Sequence, residues 1–500
     1  MEFQYDLFYR INFQTCILGI LLFLLYITRD LRRNLLPGPW GVPGLGIMPF
    51  LGSQPQKTLM RYSRKYGPVF SGYLGSRLVV FVNDYKTIRQ MFAKSGDIFN
   101  DRSKQLLLMD EIGHGKGLVN GYLHLQLKEK RRFLIKTFRS FGMGKSTFEN
   151  TIVHELEYLK SKLIEVADTS VAYDPKHIIA NAVSNITCGI VFGNRYKYDD
   201  PKFKRFLRKM DALLEALSLS TGLNFLPILR YIPESGWKTA IKNIDTIMNE
   251  LIKVELKEHA ETIDFNNPRD FIDEFLKAKS ELENADENTD AFDNESAEQI
   301  VLELFIAGTE TTASTLKWAI LYLALNRDIQ AKVYDEIESV CGQTNPPTLK
   351  DRPKLVYTEA VMMEVTRIRP VAPLGVPHAV LHDTYYEGHF IPKGTTVIPN
   401  IWAVMHDQTT WHEPEKFKPE RFIDEKSNLI KIEQLIPFSV GRRSCPGEQL
   451  ARINLYLFFT HLVHQFKFEL PPDKPRPTTE PHVGATLSPK PYQLIITKRN

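Results

Sequence analysis

Residues 438–447 read FSVGRRSCPG, of the form F-x-x-G-x-R-x-C-x-G. At roughly 5% per residue type, five fixed positions match by chance in a chain of this length with a probability on the order of 10⁻⁴. The spacing has a physical logic. Gly441 permits a backbone conformation closed to other residues, so a tight loop can hold the Cys445 sulfur. Pro446 suits the first turn of a helix, expected over roughly 447–466. The positive end of that helix favours thiolate over thiol. Arg443 can neutralise an anion beside the sulfur. A buried structural cysteine is the bland alternative, but a proline, two glycines and two arginines argue against a plain core position.

The rest of the chain sets this loop in context. Its 500 residues are 43% hydrophobic and 24% charged, an ordinary globular composition. With no fixed repeat and no Ser/Gly-rich linker, one large domain is expected behind a short leading segment. The other cysteines, Cys16, Cys188 and Cys341, are far apart and form no CxxC pair, which excludes a disulfide or zinc framework. A net charge of +4 gives no reason to expect nucleic-acid binding.

Ile11 to Thr28 carries no charge and centres on ILGILLFLLYI (17–27). Eighteen residues span about 27 Å, near the roughly 30 Å bilayer core. Acids precede this run, and Arg29, Arg32 and Arg33 follow it, so an uncleaved anchor with its C-terminal end in the cytosol is expected over 1–29. Pro37, Pro39, Pro43, Pro49 and Pro55 then mark a semi-rigid hinge, 30–56, ahead of a domain over 57–500. Leu78–Val82 reads as a strand. Residues 125–280 read as mostly helical and 281–296, with seven acids and no base, as a solvated loop. The longest helix is expected over Ala297–Leu325, and short strands over 370–400. The whole is predominantly α with minor β.

Two further patterns stand out. Residues 307–312, AGTETT, lie inside the longest helix. EVTR (364–367) places Glu364 and Arg367 on one helix face, and KPERF (418–422) supplies Arg421.

Together these motifs resemble the cytochrome P450 superfamily over nearly the whole chain, and NAVSNITCGIVFGNRYKY, FRSFGMGK, PRDFIDEFLKAK and PHAV resemble its animal microsomal, second-family-like branch. The resemblance implies the cytochrome P450 fold and haem b bound through a Cys445 thiolate, with Phe438 and Gly441 shaping the loop. It implies that Ala307 and Gly308 make room for dioxygen and that Glu310 and Thr311 deliver protons. Arg102, Arg131, His378 and Arg443 are the implied partners of the haem propionates. Glu364, Arg367 and Arg421 match a structural ion triad. Leu127 departs from the pattern, standing where the family usually has a Trp that bonds a propionate.

No NADPH or flavin motif occurs. The implied electron source is NADPH–cytochrome P450 reductase, with cytochrome b5 as a possible helper, docking on a run of seven bases and one acid over 128–145. The implied reaction is monooxygenation of a small lipophile (xenobiotic, fatty acid or steroid) enclosed by segments near 105–125, 210–230, 300–311 and 371–376, at the cytosolic face of the endoplasmic reticulum membrane. A reductase-independent peroxide isomerase or dehydratase on the same fold, and a non-catalytic haem sensor, stay open as alternatives.

Overall fold

A computed structural model describes residues 34–123, 125–141, 146–169 and 171–499, together with Thr15, Leu18 and Gly19. The expected anchor otherwise lies outside the described residues, as do Gly142, Gly144 and Lys145. No helix among the described residues is long and apolar enough to cross a membrane.

The architecture is mostly helical with small sheets. Strand β1 (Val69–Leu74) pairs antiparallel with β2 (Arg77–Val82) through a turn at Gly75, φ +59°. The helices that frame the site are α1 (Leu125–Ser140), α2 (Lys176–Val191), α3 (Asn294–Leu325), α4 (Val356–Ile368) and α5 (Glu448–Gln465). Strands β3 (His378–Ala379) and β4 (Thr396–Pro399) complete a four-stranded sheet in the order β1-β2-β4-β3, with β2 and β4 parallel.

Helix α3 is the axis. The Asp293 carboxylate accepts from the Ser296 amide at 2.6 Å, capping its start. From Leu316 to Ala324 every side chain is buried, and all but Lys317 are apolar or aromatic. It packs along α2 and also against α4 and α5, sharing one apolar core with them.

Two expectations need adjustment. The hinge does not run free to residue 56. Leu36 and Ile47 are buried, the Ser71 amide donates to Pro37 O at 2.8 Å, and the Ile47 amide donates to Tyr73 O at 2.7 Å. A Cβ on Gly38 would lie 1.7 Å from Ser71 O, so this glycine is what lets the chain press against β1. From about Leu36 the proline-rich stretch is part of the domain edge. The acidic stretch 281–296 is likewise not a plain loop, because one helix runs Phe271–Asn284 and a short turn buries Ala291 and Phe292.

Glu364, Arg367 and Arg421 come together in the core. Arg367 and Glu364 are fully buried and bond twice, at 2.6 and 2.9 Å. Arg421 Nε reaches the same carboxylate at 3.1 Å. Arg367 also donates to the carbonyls of Met405 and Pro414, both at 2.8 Å. Removing one partner would strand a buried charge.

Candidate active site

The Cys445 loop closes on itself where the Cys445 amide donates to Phe438 O at 2.9 Å. Gly441 has φ +82°, and a Cβ there would lie 2.1 Å from Phe92 O. The loop is therefore pressed against the turn Gln90–Lys94. Arg452 lies over the Phe438 ring at 4.9 Å. Helix α5 begins at Glu448 with Gly447 as its cap, so Pro446 precedes the cap rather than opening the helix. The thiol has accessible surface yet sits deep in the molecule, and depth governs its titration. Burial raises its pKa, outweighing the Gly447 amide and Arg131, which both lower it.

Behind the loop, three guanidinium groups converge. Arg443 donates to the carbonyls of Asn100 (3.0 Å), Leu118 (3.3 Å) and Gly121 (2.6 Å). Arg102 donates to Val119 O at 2.6 Å and Pro377 O at 3.0 Å. Arg131 donates to Ser444 O at 2.7 Å. None of the three has a carboxylate bonded to it among the described residues. Burial, followed by repulsion from Arg443 and Arg131, lowers the Arg102 pKa far below its ordinary value. Burial and Arg131 push Arg443 down to about 10. His378 stacks on Phe92 at 4.0 Å, shares a hydrogen bond of 3.0 Å with Phe99 O, and is held neutral by burial and these arginines. Cations this deep whose hydrogen bonds all go to carbonyls fit a group that brings two carboxylates. The donor set thus suits haem, with a thiolate for the iron and guanidinium groups for the propionates.

Helix α3 presents different faces to its surroundings. Ala307 is exposed, and Thr311 is half-buried with its hydroxyl donating to Ala307 O at 2.7 Å. Gly308 faces elsewhere. A Cβ on it would lie 2.7 Å from Thr187 Oγ1, so its smallness serves the packing of α3 on α2. Glu310 is buried and is not bonded to Thr311. Its carboxylate accepts from Ser314 Oγ and pairs with Lys317 at 3.6 Å. Successive residues on a helix project about 100° apart, so neighbours in sequence need not share a face.

Glu303 had escaped notice. Its buried carboxylate accepts the amides of Leu118 (2.5 Å), Val119 (2.7 Å) and Asn120 (3.0 Å). The same short segment offers its carbonyls to Arg102 and Arg443. Burial raises the Glu303 pKa, against the pull of those amides and Arg102. An acid within the apolar run IVLELFIAG (300–308) was the available signal. Leu127 is buried and lies against this segment, since a Cβ on Gly121 would come within 3.2 Å of its side chain.

Three of the four expected substrate walls touch through 105–125, and the fourth, 371–376, bonds to Leu487 outside them. The Leu107 amide donates to Asn224 O at 3.0 Å and the Met109 amide to Asn224 Oδ1 at 3.1 Å. Glu303 joins 118–120 to α3, and the Leu487 amide donates to Val371 O at 2.8 Å.

The basic run divides. Lys130 points inward to Lys116 O and Ser296 Oγ, both at 2.7 Å. Lys128, Arg132, Lys136 and Arg139 are exposed at helical spacing along α1.

Residues 36–496 match the family model for cytochrome P450. Human cytochrome P450 2U1 is 38% identical over 89% of this chain and 81% of its own length. The rat 2U1 protein is 36% identical over 97% and 94%, and rat cytochrome P450 2D26 is 36% identical over 93% of both. The chain belongs to the cytochrome P450 family, whose members are monooxygenases that hold haem through a cysteine thiolate.

Proposed function

We propose that Cys445 is the haem ligand and that the protein oxygenates a small lipophile at the cytosolic face of the endoplasmic reticulum membrane, with electrons from NADPH–cytochrome P450 reductase. The observation that carries this reading is the trio of buried Arg102, buried Arg443 and half-buried Arg131, bonded only to carbonyls beside an accessible thiol. When bound, thiolate-ligated haem supplies the reductive activation of dioxygen.

The protein's own groups act around that chemistry. Arg102, Arg131, Arg443 and His378 hold the two carboxylates of the cofactor. Phe438 and Gly441 keep the sulfur in place. Thr311 holds a proton on its hydroxyl at the exposed face of α3, and Glu310, on the adjoining face, is its acid reserve after a side-chain rotation. Ala307 leaves space. The apolar segments around 105–125 and 300–311 exclude water and hold an apolar substrate.

The four exposed bases on α1 suit an acidic electron-donor protein, with cytochrome b5 as a second donor, and Arg131 on the same helix bonds the residue before Cys445. Membrane attachment is supported by the apolar run 11–28. It is supported also by exposed Trp40, Val42, Leu45 and Phe50, and by Ile228 and Tyr231. A Cβ on Gly222 would lie 2.8 Å from Met48, so these two stretches adjoin.

The test is a difference spectrum of the reduced protein with carbon monoxide. A strongly red-shifted Soret band, abolished by Cys445→Ala, is expected, as is lipophile-dependent NADPH consumption with the reductase. A histidine-like band in the unaltered protein overturns the assignment of Cys445. A red-shifted band with turnover driven by lipid hydroperoxide alone replaces the monooxygenase reading with the isomerase one.

A further inference from the structure

Away from the Cys445 loop, the helix Pro55–Tyr66 and the segment 402–416 enclose an open groove of about 680 Å³. That lies within the roughly 300–1,000 Å³ typical of small-molecule sites. Its lining is apolar around half-buried Met60, with Leu51, Trp402 and Pro414 buried beneath.

The walls differ in charge. Lys57, Arg61 and Arg64 follow one another at spacings of four and three, so they share a helix face. Lys57 is engaged by Glu480 at 3.4 Å. Arg61 donates to Thr58 Oγ1 at 2.9 Å, and Arg61 and Arg64 are exposed with no ion-pair partner among the described residues. On the other segment Glu413 pairs with Lys416, while Glu415 is exposed and without an ion-pair partner among the described residues. The groove thus offers two free guanidinium groups and one free carboxylate above an apolar floor. It begins at Leu51, directly after the exposed apolar run that ends in Phe50.

We infer that this groove binds a single aminophospholipid. The phosphate sits on Arg61 and Arg64, whose forked donors match its oxygens. The primary ammonium donates to Glu415, and the glycerol and first acyl carbons lie against Met60. A choline headgroup has no N–H to give Glu415, and a glycerol headgroup has no cation. A soluble phosphoamine shares the polar groups but leaves the apolar floor uncovered, which favours the lipid. The inference shares the membrane placement proposed above but not the haem chemistry.

The experiment uses the full-length protein in detergent, titrated with short-chain phosphatidylethanolamine, phosphatidylserine, phosphatidylglycerol and phosphatidylcholine, with retention read by native mass spectrometry. One molecule of either amino lipid is expected to be retained in preference to the other two. Loss of two charge-assisted hydrogen bonds in Arg61→Gln/Arg64→Gln weakens that retention by roughly tenfold or more. Glu415→Gln reduces the amino-lipid preference alone. The carbon monoxide spectrum stays unchanged in every variant, which separates this site from the haem reading. Equal retention of phosphatidylglycerol overturns the role of Glu415. No preference among the four lipids, or free phosphoethanolamine competing as well as the lipids, overturns the site as a lipid site.

Discussion

Lys317 Nζ stands 3.6 Å from Glu310 Oε1, and both side chains are more than nine-tenths buried on a face of α3 that Thr311 does not share. A buried pair of this kind is costly to break from one side, by about 3–5 kcal/mol, because the remaining charge is stranded. Lys317→Met is therefore expected to lower the unfolding midpoint sharply in chemical denaturation. The double variant Glu310→Gln/Lys317→Met should recover much of the loss. Additive losses in this double-mutant cycle would show that the two charges do not depend on each other.

Glu303 takes three amides from the segment that also caps Arg102 and Arg443. Hydrogen bonds to a charged group contribute about 1.5–3 kcal/mol each. Glu303→Ala is expected to reduce the ratio of haem to protein severely, and Glu303→Gln, which keeps an acceptor, only in part. Equal haem content in both variants and the parent would deny the carboxylate any part in shaping the seat.

Three glycines near the site should answer differently to alanine. At Gly441 the positive φ and the 2.1 Å approach of Phe92 O leave no room, so Gly441→Ala should abolish the red-shifted carbon monoxide band. At Gly447 the nearest atom to a Cβ is Cys445 Sγ at 4.0 Å, an ordinary contact, and Gly447→Ala should retain the band. Gly308→Ala should cost stability by crowding Thr187, and Thr187→Ala should restore it. Without that rescue, the small residue at 308 is needed for something other than α2.

Burial works against a charged His259, but the hydrogen bond and charge of Asp270, 2.8 Å away, outweigh it and raise the pKa above its ordinary value. A raised folded-state pKa contributes stability that is complete below the unfolded value of about 6.5 and is lost as pH rises through the folded value. Stability measured from pH 6 upward should therefore fall across that window, and His259→Gln should flatten this part of the profile. An unchanged slope in His259→Gln would assign the dependence to other groups.

Much of the site was legible because its chemistry is local. Cys445, Gly441 and Phe438 lie within one ten-residue loop whose spacing is set by how a thiolate is presented. Glu364 and Arg367 lie one helical turn apart. The arginines could be matched by short flanking patterns, and the structure does gather Arg102, Arg131 and Arg443 in one place. Helix α3 was legible from its length and apolar character, with its start misjudged by three residues because Asp293 caps it earlier.

What escaped depended on the direction in which a side chain points. Glu310 and Thr311 are adjacent in sequence, yet a step of about 100° per residue sends them to different surroundings, and no bond joins them. That Gly308 also lets α2 lie against α3 could not be read from its neighbours in sequence. Lys130 belongs to a basic run but turns inward. Sequence by itself determined the family, the thiolate loop and the order of the helices, because these follow from residue type and short-range spacing. Only the tertiary structure decided that Glu303 braces the arginine seat from some 180 residues away, that Glu310 is held by Lys317, and that the proline-rich edge packs on β1. The first and last rest on contacts between segments that meet only when the core closes, and Glu310 and Lys317, though two turns apart on one helix, are buried as a pair only by what packs around that helix.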